Sequence, residues 1–123
     1  MNMTQSMEDY LEAVLTLVDA GRPAQVRDVA QLLNVKMPSV VKAMGELKRL
    51  ELVTQKPYAP IALTAKGRRV ARLVAGRHEL LRSFLEKLGV SGPTADRDAC
   101  LMEHILSAET LDKIRIYTEK TTR

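Results

Sequence analysis

The first candidates for chemistry in this 123-residue chain are six residues whose side chains bind divalent metal ions in other proteins. They are Asp9, Glu12, His78, Cys100, Glu103 and His104. Cys100, Glu103 and His104 stand at positions i, i+3 and i+4, a spacing that places all three on one face of a helix. Asp9 and Glu12 are three residues apart and share a helix face in the same way. The sequence therefore predicts a metal site, provided that the six residues meet in space.

Four of these residues also have an ordinary structural explanation. Asp9 could complete the N-terminal cap of the first helix, where negative charge is favourable, and Glu12 could be a solvated position of that helix. A lone buried cysteine such as Cys100 is most often a small hydrophobic residue, and His78 could be a hydrogen-bonded core residue. The metal hypothesis thus depends on the joint position of the residues.

Composition excludes several classes of protein. A single cysteine forms no internal disulfide, which is typical of a reducing compartment, and we expect a cytoplasmic protein. No apolar run approaches the roughly 20 residues of a membrane span, so no membrane partner is expected. Aromatic residues make up 3% of the chain, too few for a platform that stacks single-stranded bases. Zinc held by such ligands can activate water, but no nucleophile motif or glycine-rich loop accompanies them, and we expect no enzyme.

The elements that would position these residues follow from hydrophobic periodicity and capping residues. Helices are predicted from a cap at Ser6 to the break at Gly21, at 26–33, 38–50, 65–88 and 94–106, and after a cap at Ser107. Two short strands, 52–54 and 61–63, flank a turn with two prolines and predict a hairpin. The predicted fold is mainly α, a winged helix-turn-helix followed by a helical dimerisation domain.

The winged helix-turn-helix is indicated by the order of two helices, a turn, a third helix and a hairpin. The charge distribution agrees with it. The net charge is only +4, but residues 36–69 contain eight basic and two acidic residues. This block covers the third helix and the wing, which are the parts that would face phosphate groups. Double-stranded DNA is therefore the expected partner.

Nine residues of the motif are expected to contact DNA: Arg27, Lys36, Pro38, Ser39, Lys42, Lys48, Arg49, Lys56 and Tyr58. Ser39 and Lys42 lie in the first turns of the third helix, where base edges are reached, whereas later lysines and arginines suit phosphate contacts. The start of this helix carries no Arg, Asn or Gln for a bidentate contact with a base. Specificity is therefore expected to depend on DNA shape and on apolar contacts with thymine methyl groups.

Five segments resemble the diphtheria toxin repressor family of iron- and manganese-dependent regulators. They are MEDYLEA (7–13), PSVVK (38–42), LTAKG (63–67), RHELL (77–81) and DACLMEH (98–104). The segments occur in the family's order and intervals and cover nearly the whole chain. The resemblance implies a winged-helix DNA-binding domain at 1–70 and a helical metal-binding and dimerisation domain at 71–123. It also implies a repressor that binds operator DNA when loaded with divalent metal and controls metal homeostasis.

The resemblance further implies that all six candidate residues stand at ligand positions of the family. The chain combines two branches, because the manganese-type branch has a carboxylate at the place of Cys100 and the iron-type branch has methionine at the place of Asp9. Arg82 stands where many members carry an acidic residue, and the SH3-like third domain of the iron-type branch is expected to be absent. One well-made site is expected from Asp9, Cys100, Glu103 and His104. Glu12 and His78 are expected to form a weaker second one, with Glu103 as a possible shared ligand.

The ligand types bear on the choice of metal. Carboxylates suit Mn²⁺, whereas a thiolate favours Fe²⁺, Co²⁺ or Zn²⁺. We expect Fe²⁺ or Mn²⁺ as the cofactor in the cell, with iron slightly favoured by Cys100. Zn²⁺, Co²⁺ or Ni²⁺ are expected to bind in vitro, since affinity at a given site follows the Irving–Williams order.

The residues leave other functions open. One alternative is a metal-independent winged-helix regulator that senses oxidants or small molecules through the thiol of Cys100. Another is an interaction module made of the last three helices. Their apolar stripes, which include Leu73 and Leu88 as predicted inward positions, exceed what one small chain is expected to cover. We therefore expect a homodimer that binds a palindromic operator.

Overall fold

The computed structural model describes residues 3–121, which form six α-helices and one two-stranded sheet. The elements are α1 (Gln5–Asp19), α2 (Val26–Leu33), α3 (Met37–Arg49), β1 (Val53–Thr54), β2 (Ala62–Leu63), α4 (Ala65–Lys87), α5 (Gly92–Met102) and α6 (Ala108–Thr121). They make two compact units, one ending at Leu73 and the other beginning at Val74. The predicted order of a winged helix-turn-helix followed by helices is confirmed. Within residues 3–121, no helix combines the length and hydropathy that a membrane span requires.

The first helix begins earlier than predicted, and Thr4 is its N-cap. The Met7 amide donates a hydrogen bond to Thr4 Oγ1 at 3.1 Å, which satisfies one of the helix's first N–H groups. The predicted cap at Ser6, completed by Asp9, is therefore wrong, because a second hydroxyl residue two positions earlier takes that role. Asp9 lies inside the helix, so the capping explanation for its carboxylate no longer applies.

The helix-turn-helix is formed by α2 and α3. Asn34 makes the predicted turn between them in the left-handed conformation, with φ 55° and ψ 49°. Pro38 is the second residue of α3, where its missing N–H costs no hydrogen bond. The helix buries Val40 and leaves Val41 58% exposed, which decides the alternative that the sequence left open. The fully buried core of this unit includes Leu11, Val14, Val29, Val40, Met44, Leu47 and Leu52.

The wing is the hairpin of β1 and β2. The strands pair in antiparallel fashion, with Val53 opposite Leu63 and Thr54 opposite Ala62. Each strand is one residue shorter than predicted. Tyr58 lies in the connecting turn with a positive φ of 61° and a fully exposed side chain. The wing therefore presents an aromatic ring to solvent at its tip.

The start of α4 is fastened to the loop that follows α3. Thr64 Oγ1 accepts a hydrogen bond from the Gly67 amide at 2.9 Å and donates one to the Glu51 carbonyl at 2.7 Å. Gly67 packs directly on the Leu52 backbone, and a Cβ atom at this glycine would lie 1.8 Å from the Leu52 carbonyl oxygen. Close approach of two backbones is a role that only glycine fills here.

In the second unit, α5 is shorter at its end than the sequence predicts. The predicted helix over 94–106 ends at Met102, so Glu103 is the C-cap and His104 lies in the following turn. The prediction extended the helix because Ile105 continues the apolar spacing, but this side chain is 77% exposed and does not belong to a buried face. The predicted face of Cys100, Glu103 and His104 therefore does not lie on one continuous helix, because the helix ends at Met102.

Several large apolar side chains remain on the surface of the chain. Leu73 of α4 and Leu88, which directly follows that helix, are 69% and 61% exposed, so the prediction that they face inward is wrong for a single chain. Leu101 and Ile105 are 56% and 77% exposed. Their exposure agrees with the expectation that one chain cannot cover all of its apolar stripes.

Candidate metal centre

The second unit brings three of the six predicted ligands together. One ligand atom from each of His78, Cys100 and Glu103 lies within 4.8 Å of the other two. His78 comes from the middle of α4, and Cys100 comes from the last turn of α5. Glu103, as the C-cap of α5, keeps near-helical angles of φ −61° and ψ −22°, which leaves it beside Cys100. Imidazole, thiolate and carboxylate together form a donor set that suits a divalent transition metal.

Glu103 is the most buried polar group of this cluster. Its side chain is only 2% exposed, and its two carboxylate oxygens lie near two imidazole rings. Oε2 is 3.6 Å from His78 Nδ1, and Oε1 is 3.2 Å from His104 Nε2. A buried carboxylate is costly unless its charge is compensated, so the position of Glu103 between two imidazoles fits a group that shares a cation with them.

His78 is oriented as a metal-binding histidine usually is. Its Nε2 lies 2.8 Å from Asp96 Oδ1, in hydrogen-bond distance of a carboxylate on α5. Its Nδ1 is buried and has no hydrogen-bond partner among residues 3–121. Metal-binding histidines commonly donate the other ring N–H to a carboxylate in this way. The residues present therefore fit a bound metal, for which Nδ1 would be the ligand atom of His78.

The grouping of the ligands bears on the expected division into two sites. His78 was expected to join Glu12 in a weaker second site with Glu103 as a possible shared ligand, and the second unit places it near both Glu103 and Cys100. Asp9 and Glu12 lie on α1 in the first unit, both half-buried. Their participation in the centre stays a prediction.

Asp96 contacts His78 of the centre, and Arg82 lies one helical turn after His78 on α4. The sequence contained a signal for Asp96, since it stands four residues before Cys100 and so shares its face of α5. Arg82 donates hydrogen bonds to Glu79 at 2.7 Å and to Glu86 at 3.1 Å. The pKa of Arg82 is raised, chiefly by the hydrogen bond and charge of Glu79, with smaller contributions from the charges of Glu86 and Asp96. The charges of Arg82 and Asp96 therefore attract each other.

The nine residues predicted to contact DNA all lie in the first unit, and all nine are exposed. Pro38, Ser39 and Lys42 lie on the outer face of the first half of α3. Arg49, in its last turn, pairs with Glu46 of the same helix. The wing residues Lys56 and Tyr58 are also exposed. Their contact with DNA stays a prediction.

Comparison with known proteins bears on both units. Residues 2–61 match the family described as iron dependent repressor, N-terminal DNA binding domain, and residues 64–123 match iron dependent repressor, metal binding and dimerisation domain. An uncharacterized HTH-type transcriptional regulator of Methanocaldococcus jannaschii is 40% identical over 120 residues, which is 96% of this chain and 96% of that protein. The HTH-type transcriptional regulator MntR of Geobacillus kaustophilus is 39% identical over 111 residues, covering 90% of this chain and 79% of that protein.

A solved structure of a manganese-dependent transcriptional repressor in complex with manganese aligns with a TM-score of 0.79 and 25% identity. The alignment covers 92% of this chain and 52% of that one, so this chain spans about half of its length.

These similarities agree with the resemblance predicted from the five sequence segments. The relatives are transcriptional regulators, which favours regulation over zinc-dependent catalysis, and the family's metal-binding domain favours metal dependence over an oxidant sensor built on Cys100 alone. The chain belongs to the iron dependent repressor family, and it is a metal-dependent transcriptional regulator.

Proposed function

We propose that this chain represses transcription by binding a palindromic operator as a homodimer when Fe²⁺ or Mn²⁺ occupies the centre around Glu103. The observation that carries this proposal is the convergence of His78, Cys100 and the buried carboxylate of Glu103 in the second unit. The bound cation would supply the positive charge that compensates Glu103. We assign DNA binding to residues 1–70 and metal binding with dimerisation to residues 71–123, and we place the regulator in the cytoplasm.

We further propose that His104, Asp9 and Glu12 complete the ligand set. The support comes from the resemblance to the family and from the way in which α1 is capped. All three stand at ligand positions that the resemblance implies, and the capping role that would have explained Asp9 belongs to Thr4. Ligands contributed by α1 and by α4 and α5 would restrict the motion of the DNA-binding domain. The entropy lost on binding an operator would then be smaller, because part of the ordering has already taken place.

One metal ion per chain is the stoichiometry that these residues favour. Arg82 stands where many relatives carry an acidic residue, and its guanidinium is held by Glu79 and Glu86. This positive charge interacts with Asp96, the carboxylate beside His78 Nε2, and would oppose a second cation at that carboxylate.

In the proposed DNA interface, basic side chains position the protein on the duplex and apolar side chains contact the bases. Lys48 and Lys56 are exposed on α3 and the wing, where they would contact phosphates. Met37 and Val41 are 50% and 58% exposed on α3, beside Pro38. Apolar side chains at this place can contact thymine methyl groups in the major groove. In a homodimer, two such helices would read the two halves of a palindrome.

The proposed dimer is supported by the exposed apolar residues of the second unit. Leu88, Leu101 and Ile105 are each more than half exposed. The matching family domain is described as one of metal binding and dimerisation. Analytical ultracentrifugation at micromolar concentration is expected to give twice the mass of the 13.7 kDa chain.

The direct test of the proposed function is a metal titration of operator binding. A pool of duplexes with random inverted repeats, selected with the Mn²⁺-loaded protein, supplies the probe. Addition of Mn²⁺, or of Fe²⁺ without oxygen, to the chelator-treated protein is expected to raise affinity for this probe by about 10- to 100-fold, a usual range for coupling between two sites. Affinity that stays constant across the titration would reject metal gating.

A matched variant separates the two binding events of this test. Lys42→Ala removes an exposed charge from the proposed DNA face and leaves the second unit untouched. It is expected to bind metal as the wild type does and to bind the selected operator more weakly.

The role of Cys100 can be tested through metal preference. Cys100→Glu replaces a soft donor with a hard one, and we expect it to shift the ratio of Co²⁺ affinity to Mn²⁺ affinity toward Mn²⁺ by about tenfold. The wild-type protein loaded with Co²⁺ is expected to show a thiolate-to-metal charge-transfer band, which this variant lacks. Cys100→Ser serves as the control for side-chain size. A wild-type Co²⁺ spectrum without that band would remove Cys100 from the ligand set.

A further inference from the structure

We propose that Asp96 is a positioning residue of the metal centre, which holds the His78 ring so that Nδ1 remains available for the metal. This inference rests on the proposed function of the cluster. The observation behind it is the 2.8 Å separation between His78 Nε2 and Asp96 Oδ1, a contact that joins α4 to α5 inside the second unit. Asp96 was not among the residues singled out by the sequence.

The chemistry of the two groups decides which atom carries the hydrogen. An ionised carboxylate only accepts hydrogen bonds, so the His78 ring must donate from Nε2 to Asp96. A neutral imidazole has one N–H, and Nδ1 is then left with a lone pair. That atom is buried and faces Glu103 Oε2 at 3.6 Å. Two ligand atoms that each lie about 2.1 Å from the same cation are separated from each other by a distance similar to the one between these two atoms.

Two carboxylates compete for the single hydrogen of the His78 ring. Glu103 lies on the Nδ1 side and Asp96 on the Nε2 side, and a hydrogen on Nδ1 would be drawn toward Glu103. With Asp96 present, the hydrogen is held on the outer side of the ring. Without it, the buried Glu103 favours the opposite tautomer, in which the ligand atom is blocked by a hydrogen that must leave before coordination.

The positive charge of Arg82 favours a role for Asp96 in positioning His78 over a role in binding a cation. The Arg82 guanidinium interacts electrostatically with Asp96 and is held in place by Glu79 and Glu86. Positive charge is therefore already supplied next to Asp96 by the chain itself. Asp96 is also 63% exposed, in contrast with the buried Glu103, so its contribution is expected to be at the low end of the effects that such partners have.

The experiment compares Asp96→Ala with Asp96→Asn in the full chain. The chain has two histidines, His78 and His104, so nitrogen-15 NMR of the ring atoms resolves each tautomer in the metal-free protein. In the neutral form of the ring, the wild type is expected to carry the His78 hydrogen on Nε2, and Asp96→Ala is expected to shift population to Nδ1. Asp96→Asn keeps an acceptor oxygen and is expected to restore the wild-type tautomer in large part.

The same variants are then titrated with Mn²⁺ in competition with a chelating dye. Asp96→Ala is expected to weaken Mn²⁺ binding by about tenfold without changing the stoichiometry, as loss of an outer-shell partner does. Asp98→Ala, which removes the same charge from α5 two residues away, is the matched control and is expected to bind as the wild type does.

The possible failures are distinguishable. A wild-type protein that binds no Mn²⁺ and no Fe²⁺ would overturn the proposed function and this inference together. If the wild type binds metal and Asp96→Ala keeps both its tautomer and its affinity, only the positioning role is overturned. Loss of one metal equivalent in Asp96→Ala would show a ligand in place of a positioning residue.

Discussion

Glu103→Gln is expected to weaken Mn²⁺ or Co²⁺ binding by at least about 100-fold, equivalent to about 2.7 kcal/mol. Glutamine keeps the size of the side chain and removes its charge. The two carboxylate oxygens lie 3.6 Å from His78 Nδ1 and 3.2 Å from His104 Nε2, so the substitution removes the charged donor that lies between the two imidazoles. Because the carboxylate is nearly inaccessible to solvent, water does not replace it as a ligand in the variant. Metal-dependent operator binding should disappear with it.

A control separates the loss of a ligand from the loss of a charge. Glu109→Gln removes an acidic group from α6 in the same unit, where the side chain is exposed. Its metal affinity is expected to equal that of the wild type. The folding stability of metal-free Glu103→Gln is expected to lie within about 1 kcal/mol of the wild type, since a buried charge is exchanged for a neutral group that still forms hydrogen bonds. If Glu103→Gln binds metal normally, the centre lies elsewhere.

Much of the fold is predictable from the sequence because its elements are long and clearly bounded. The turn at Asn34 and the start of α3 before Pro38 are local features, and each has a direct conformational cause. The ends of helices are less predictable. Thr4 and Ser6 are both good N-caps, and only the three-dimensional structure shows that Thr4 takes the role. The extension of α5 to residue 106 failed for a different reason, because an apolar spacing does not reveal that Ile105 is exposed.

In the metal centre, too, contacts between residues close in sequence are predictable, whereas contacts between different helices are not. Cys100 and Glu103 are close because they are one helical turn apart, which the spacing predicts. His78 joins them from another helix, and the resemblance to a family, not the spacing, singled it out. The hydrogen bond between His78 and Asp96 spans 18 residues and depends on how α4 packs against α5. No periodicity encodes that packing, so the partner of His78 could not be assigned before the structure.

Gly67→Ala is expected to destabilise the DNA-binding unit by about 3 kcal/mol or more. The added Cβ would lie 1.8 Å from the Leu52 carbonyl oxygen and 2.8 Å from its carbon, and both belong to the backbone. Inserting a methyl group into a packed site costs about 1–3 kcal/mol when neighbouring side chains can adjust, and backbone atoms adjust less. Separation of the two segments would also strain the bonds from Thr64 to Glu51 and from Lys66 to Leu50, at 2.7 and 3.2 Å.

Gly76→Ala provides the matched substitution on the same helix. Nothing lies within 4 Å of a Cβ at this position, so the methyl group meets no obstacle. Alanine is favoured over glycine inside a helix by about 0.5–1 kcal/mol, and this variant should be stabilised by that amount. Urea unfolding followed by circular dichroism measures both changes. Because the two glycines share α4, a difference in sign between them isolates the contact with Leu52 from helix propensity. If Gly67→Ala is as stable as Gly76→Ala, the loop after α3 does not pack against α4 as described.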